Sequence, residues 1–252
     1  MKRVKLLAIE AWLPIVLVTV WLVASAGSGS LYFPPLADIL HEVRELWIFD
    51  ATRDDLLPSL GRIGVGFCIA VVVGVVGGVL LGLLRPLEEA LRPLLEFLRA
   101  TPGVALLPIA TLFLGIGDEM KIFLIALASV WPILLNTIDG VRSAEPVLLQ
   151  MARSYRFSTA GKIRFIYIPN AAPGVFAGCR LALAIATVVM VVTEMVGSPG
   201  GIGWFILDSQ RSFNIVQMWS GIVVLGLVGY ALNLALRLVE SRVLAWHHMK
   251  NG

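Results

Sequence analysis

Long apolar runs alternate with short polar stretches along the whole chain, and the runs set its architecture. Apolar residues dominate positions 9–26, 63–84, 97–116, 122–138, 175–196 and 216–238. Each run approaches the roughly 20 residues that carry a helix through a bilayer, so the pattern predicts six transmembrane helices in an all-α bundle. The third is the most interrupted: its continuous apolar part begins only at Val104, and Pro102 and Pro108 lie within it. Strands of a membrane barrel would alternate over segments of about 10 residues, and these runs do not alternate. Two polar connections keep a helical period instead. After Pro34 and Pro35, residues Leu36, Ile39, Leu40, Val43, Leu46 and Trp47 form one apolar stripe. Leu87, Leu91, Leu94, Leu95 and Leu98 form another, opposite Glu88, Glu89, Arg92, Glu96 and Arg99. The second stripe predicts a helix lying on the membrane surface ahead of the third span, with Pro93 as a kink point.

Composition sharpens this picture. The chain has 252 residues, of which 58% are hydrophobic and 15% charged, and its mean hydropathy is +0.87. Soluble domains carry about a quarter charged residues, so the surplus apolar surface faces lipid and the whole chain reads as a single transmembrane domain, residues 1–252. The net charge of +3 is unevenly spread. Lys2, Arg3 and Lys5, then Arg85, Arg92 and Arg99, then the central loop, then Arg237, Arg242 and Lys250 fall on one side of a six-span topology. Arg44, Arg53, Arg62 and Arg211 fall on the other, among Glu42, Glu45, Asp50, Asp54, Asp55 and Asp208. Basic loops stay inside, which places both termini and the central loop in the cytoplasm and leaves no reason to invoke nucleic acid. Cys68 and Cys179 lie within apolar runs and read as packing residues. There is no phosphate-binding Gly-rich loop followed by Lys-Ser/Thr and no metal-ligand spacing of Cys and His. The expectation is a chain with no catalytic residue, no metal and no cofactor of its own. His247 and His248 read as a polar end beside the membrane.

Three groups of residues stand out. Gly66, Ala70, Gly74, Gly78 and Gly82 recur every four residues along the second span, a small-residue stripe that permits close helix approach; it suits packing within the chain or a sliding or dimerising surface. Asn136, Thr187, Thr193 and Glu194 place polar groups inside apolar runs and are candidates for lining a solute path; Asn136, Thr137, Thr187 and Thr193 equally suit hydrogen bonds between helices, the commoner use of such residues. Glu194 equally suits an anchor for the turn Gly200-Gly201-Ile202-Gly203. Arg180 lies about 21 Å along the same helix from Glu194, too far to pair with it, and reads as a side chain snorkelling to the interface. The third group is the central loop, roughly residues 139–172, long for a helix connection. From Pro146, Val147, Met151 and Tyr155 share one helical face, and Gln150, Arg153, Ser154 and Phe157 share the other. Such a helix suits docking into a groove on a partner or lying among headgroups.

The loop resembles the EAA loop of ABC-transporter permeases of the binding-protein-dependent import type. The motif's frame is met by Gln150-Met151-Ala152, Arg156, and Ile166-x-Ile168-Pro169, with the spacing intact. Phe97-Leu98-Arg99-Ala100-Thr101-Pro102-Gly103 through Pro108, Gly115-Ile116-Gly117, Trp131-Pro132-Ile133-Leu134-Leu135-Asn136-Thr137, Glu194 with Gly201-Ile202-Gly203, and Leu244-x-Trp246-His247 are similar to the nitrate, sulfonate, taurine and bicarbonate branch. The resemblance implies the type I importer permease fold and no enzymatic activity. It also implies a bacterial inner-membrane homodimer that works with two ABC ATPase subunits, which hold the ATP and Mg, and with a soluble binding protein that delivers a small anion or small organic solute. The ATPase-docking residues it implies are Gln150, Met151, Ala152, Arg153, Ser154, Tyr155, Arg156, Phe157, Ile166 and Pro169. The chain departs from the motif where the family's Glu is Gln150, its second position Met151 and its Gly Arg156, so an altered docking surface is expected. A secondary transporter, which would show repeated halves, and a membrane scaffold without transport are the rival readings.

Overall fold

The computed structural model describes residues 2–27, 30–48 and 50–245, and the side chains within these except 2–11, 14 and 197. Lys2, Arg3 and Lys5 at one end, and Trp246, His247, His248 and Lys250 at the other, therefore lie outside the described side chains. The helices are α1 (Lys2–Ala26), α2 (Leu36–Leu46), α3 (Leu57–Leu83), α4 (Arg85–Ala100), α5 (Leu107–Leu114), α6 (Asp118–Arg142), α7 (Pro146–Ser154), α8 (Thr159–Lys162), α9 (Ile168–Gly197), α10 (Ile202–Arg211) and α11 (Ile215–Val243). Two π-helical turns, Thr52–Leu56 and Ile163–Tyr167, run directly into α3 and α9, and a 3-10 turn, Gly103–Leu106, precedes α5.

Four continuous helical stretches are long and apolar enough to cross a bilayer: Thr52–Leu83, Asp118–Arg142, Thr159–Val196 and Ile215–Val243. These contain the predicted fourth, fifth and sixth spans and all but the last residue, Leu84, of the second. In α1 the described apolar part, Ile15–Ala26, is shorter. The third span is not the single helix expected at 97–116. Arg85–Ala100 and Gly103–Leu114 form a pair bent by 84°. Thr101 and Pro102 are extended at the joint, because a proline drives the residue before it out of the helical region. Nor does α4 lie apart from the bundle. Its Leu91 and Leu95 pack with Leu81, Leu134, Ile138 and Trp131, and Glu88 accepts from Arg142 of α6 at 3.2 Å. Pro93 is carried within the helix.

At the centre, α6 packs between α3 and α9, and small residues bring the three backbones together. A Cβ on Gly66 would stand 2.7 Å from Ile125, on Gly74 2.8 Å from Ile133, on Gly78 2.5 Å from Thr137, and on Gly82 2.8 Å from Val141. The stripe on α3 thus faces α6 over its whole length. On the other side of α6, Gly140 abuts Ala171, Gly174 lies over the Asn136 carbonyl, and Gly178 lies over Pro132 and Ile133. Where helices associate without a hydrophobic drive between them, close contact of this kind supplies the attraction. α11 lies outside this slab. It is tied to α9 by Arg180, whose Nη1 donates to Glu240 at 2.7 and 2.8 Å; Arg180 is paired with a neighbouring helix rather than snorkelling alone. α2 rests on α11, where Trp47 Nε1 donates to Ser220 at 3.1 Å.

Gly78→Ala will lower the thermal unfolding midpoint of the purified protein, since the added methyl meets the Leu134 carbonyl as well as Thr137, an overpacking cost of about 1–3 kcal/mol. Gly64→Ala on the same helix, where a Cβ meets nothing within 4 Å, will leave the midpoint unchanged or raise it.

Candidate functional site

Two regions carry the polar chemistry, one at each end of the bundle. The first is built where α3 begins. Asp55, Ser59 and Arg62 recur at helical spacing on the face that continues as the glycine stripe, and all three are buried. Arg62 Nη1 donates to Glu194 Oε1 at 2.6 Å and to the Gly200 carbonyl at 3.1 Å, and its Nε donates to Asp118 at 2.8 Å. Glu194 is wholly enclosed. Its carboxylate lies 2.8 and 3.0 Å from the Ser59 hydroxyl and accepts from the Gly203 amide at 3.0 Å. Ser59 also accepts from the Ile202 amide, and Asp55 from the Gly201 amide. Lys121, 1% exposed, donates to Ser198 at 2.9 Å and lies 3.6 Å from Asp118. Gly201 has φ +121°, and a Cβ there would fall on the Glu194 carboxylate; only glycine takes this backbone freely.

This constellation joins the first turn of α6, the last turn of α9, the start of α10 and the head of α3. Every polar group in it is committed to another element of the fold, the Ser59 hydroxyl to Glu194 included; among the described residues no group of three His, Cys, Asp or Glu could hold a metal ion. Its work is to fix four elements. The Glu194 carboxylate contacts the Gly200–Gly203 turn through the Gly203 amide, the contact an anchor would make. Arg62, counted from the sequence among the charges of the connecting segments, is buried within the bundle. Asp55, Ser59, Asp118 and Lys121 were not singled out either. The signal that would have found Arg62, Ser59 and Asp55 is the helical period of the stripe, which runs back from Gly66 by four residues to Arg62, three to Ser59 and four to Asp55; Asp118 and Lys121 lie on α6.

The other solute-path candidates are not brought together. Asn136 Nδ2 donates to the Pro132 carbonyl at 2.8 Å, Thr187 to Leu183 at 2.9 Å and Thr193 to Met190 at 2.9 Å, each within its own helix. Thr193 is fully buried.

The second region is the central loop at the opposite end. Because α6 runs to Arg142 and the continuous helical stretch that becomes α9 begins at Thr159, the loop proper spans 143–158. Its ends are stitched by Asn170, whose Nδ2 donates to the Gly140 carbonyl at 2.8 Å and to Ser143 Oγ at 2.9 Å. In α7 only Ala152 is buried, at 1% exposure; Val147, Leu148, Met151, Tyr155 and Phe157 all stand exposed beside Gln150, Arg153 and Ser154. Both faces of the helix are therefore available. The helix closes with a Schellman motif: the Phe157 amide donates to the Ala152 carbonyl at 2.8 Å and the Arg156 amide to the Arg153 carbonyl at 3.0 Å. Arg156 takes φ +54°, a left-handed position that glycine occupies without strain. Ser158 then caps α8, accepting from the Gly161 amide at 3.1 Å. Ile166 and Pro169 are half-buried where the loop rejoins the bundle.

Residues 70–245 match the family described as binding-protein-dependent transport system inner membrane component. The chain belongs to this family. It is the membrane component of such a transport system, a non-catalytic ABC permease whose ATPase is a separate subunit. Similar proteins include the putative aliphatic sulfonates transport permease SsuC of Bacillus subtilis (strain 168), 31% identical over 95% of this chain and 88% of its own length. The taurine transport system permease TauC of Escherichia coli (strain K12) is 30% identical over 92% and 87%. The nitrate import permease NrtB of Synechocystis sp. is 31% identical over 90% and 86%. Among solved structures, an inward-facing MetNI methionine ABC transporter superposes with a TM-score of 0.69 at 19% identity, covering 79% of this chain and 98% of that one; this shows the same fold.

Two predictions follow from this permease's polar ends. Arg62→Met will destabilise the purified protein by about 3–5 kcal/mol by leaving Glu194 buried and unpaired, and adding Glu194→Met will recover much of the loss, as read by thermal unfolding. Arg156→Gly will raise the unfolding midpoint, relieving about 1 kcal/mol of left-handed strain.

Proposed function

We propose that this permease carries a small anion across a bacterial inner membrane as a homodimer, driven by two ABC ATPase subunits that dock under the central loops. The anion class is supported by the relatives, whose names specify aliphatic sulfonates, taurine, nitrate and bicarbonate. The observation that carries the docking assignment is α7 itself. A nine-residue helix exposing Gln150, Met151 and Arg153, followed by a turn exposing Tyr155, Arg156 and Phe157, is costly to leave in water and has the mixed anchors that fit a protein groove. Ile166 and Pro169 brace the return of the loop to α9.

The basic residues of the central loop support a cytoplasmic location for it and for both termini; on that reading the Arg62 network lies at the outer end, where a binding protein would release its solute. ATP and Mg belong to the ATPase; this chain holds neither. ATP binding draws the two ATPases together, the α7 helices follow, and the two permease bundles rotate as rigid bodies from inward-open to outward-open. Gln150, in place of an acidic residue, and Arg156, in place of glycine, make the docking surface more basic than the family motif and matched to an ATPase with a more acidic groove.

The double substitution Arg153→Glu with Arg156→Glu will cut co-purification of the ATPase at least several-fold while the unfolding midpoint of the permease stays within a few degrees of the unsubstituted chain. Unchanged recovery and unchanged solute uptake would refute the docking assignment.

A further inference from the structure

We propose that the cavity at the break between α4 and α5 is a transit site at which Arg99 holds a small oxyanion partway through the bundle; this rests on the small-anion reading above. The cavity has a volume of about 330 Å³ and is lined by residues including Arg99, Thr101, Leu106, Trp131, Ile185 and Val189, a size suited to a small ligand. It lies opposite Ala128 and Trp131, roughly 15–20 Å from the Asp118 end of α6 at 1.5 Å per residue, and thus near the middle of α6, the helix packed between α3 and α9. The extended joint at Thr101 and Pro102 creates it, because the 84° bend turns α5 aside and leaves a gap that a straight helix would fill.

Arg99 is the single charged residue of its lining. Among the described residues Arg99 has no hydrogen-bond or ion-pair partner, unlike the other arginines of the same region. Arg92 and Arg142 both donate to Glu88. Arg99 also lines a second, smaller cleft of about 150 Å³ with Glu88, Arg92, Glu96, Asp139 and Arg142. There the acidic and basic side chains are equal in number, so the cleft is near neutral. The two spaces meet at Arg99, giving a route from mid-bundle toward the central-loop end with its one uncommitted cation at the junction. A guanidinium offers a planar fork of donors that matches nitrate, carboxylate or sulfonate oxygens; Arg99 is itself exposed and meets the apolar lining of the cavity on one side only. A transit site has to bind weakly enough to release, and one cation without a second clamp meets that need.

The test uses the purified permease–ATPase complex carrying Thr101→Cys in a background of Cys68→Ser and Cys179→Ala. Rates of labelling by an anionic sulfonatoethyl and a cationic trimethylammonium-ethyl methanethiosulfonate are compared. The anionic reagent will label about tenfold faster, the size of bias one nearby cation confers in a partly desolvated space. Arg99→Gln will bring the ratio toward one, and Arg99→Lys will retain most of it. Ile185→Cys, on the opposite wall, serves as a second reporter should Thr101→Cys assemble poorly. Equal rates, a bias indifferent to Arg99→Gln, or failure of both cysteines to label in any nucleotide state would overturn the site. Uptake of nitrate, bicarbonate and taurine by the unsubstituted complex is measured separately. A complex that moves none of them yet keeps the Arg99-dependent bias refutes the substrate class while retaining the anion site.

Discussion

A buried guanidinium decides how this bundle is held at one end. Arg62 reaches two carboxylates and a carbonyl on three different segments, Asp118, Glu194 and Gly200, so α3, α6, α9 and the turn into α10 are positioned by one side chain. Desolvating such a charge is expensive and is repaid only when geometry and supporting hydrogen bonds are good. Here they are: Ser59 and the Gly203 amide satisfy the remaining lone pairs of Glu194, and Gly201 leaves room for the carboxylate where any side chain would collide with it. The network does not lend the bundle most of its cohesion, which comes from helix contact. It selects one relative placement of the helices out of the many that smooth apolar surfaces would allow.

Below that point, cohesion is steric. The α3 stripe and the α6–α9 glycine contacts are two expressions of the same device, and they leave the larger aliphatic residues of α6 to fill the grooves: Ile125, Ile133, Thr137 and Val141 each occupy the space a missing Cβ provides. This slab is continuous from Arg62 to the loop. The parts that depart from it are the broken pair α4–α5 and the protruding α7, and both are the parts to which a transport role is attached.

How much of this could be read in the sequence depended on the range of the interaction responsible. The stripe from Gly66 to Gly82 and the amphipathic helix from Pro146 follow from local period, and both stand as helices with the expected residues. The break in the third span was marked by Pro102 but not resolved, since hydropathy sums over the joint and sees only apolar residues on either side. Arg62 was counted with the connecting segments on one side of the membrane because the apolar run begins one residue later, at Ile63; its burial depends on Glu194, 132 positions further on. The helix α10 was missed for a related reason. Its buried Ile202, Gly203, Ile206 and Ser209 make sense only against α9 and α11. Arg180 is the same lesson in reverse: a cation expected to reach the interface finds Glu240 on another helix.

The glycine contacts between α6 and α9 have a mechanical consequence. Gly140 touches Ala171, and Asn170 bonds across to Gly140 and Ser143, so the two stems from which α7 hangs are welded together at their base. On the proposed docking, a push on α7 would reach both stems at once rather than part them, and α6, about 37 Å long at 1.5 Å per residue, links that base to the ionic clasp at the far end.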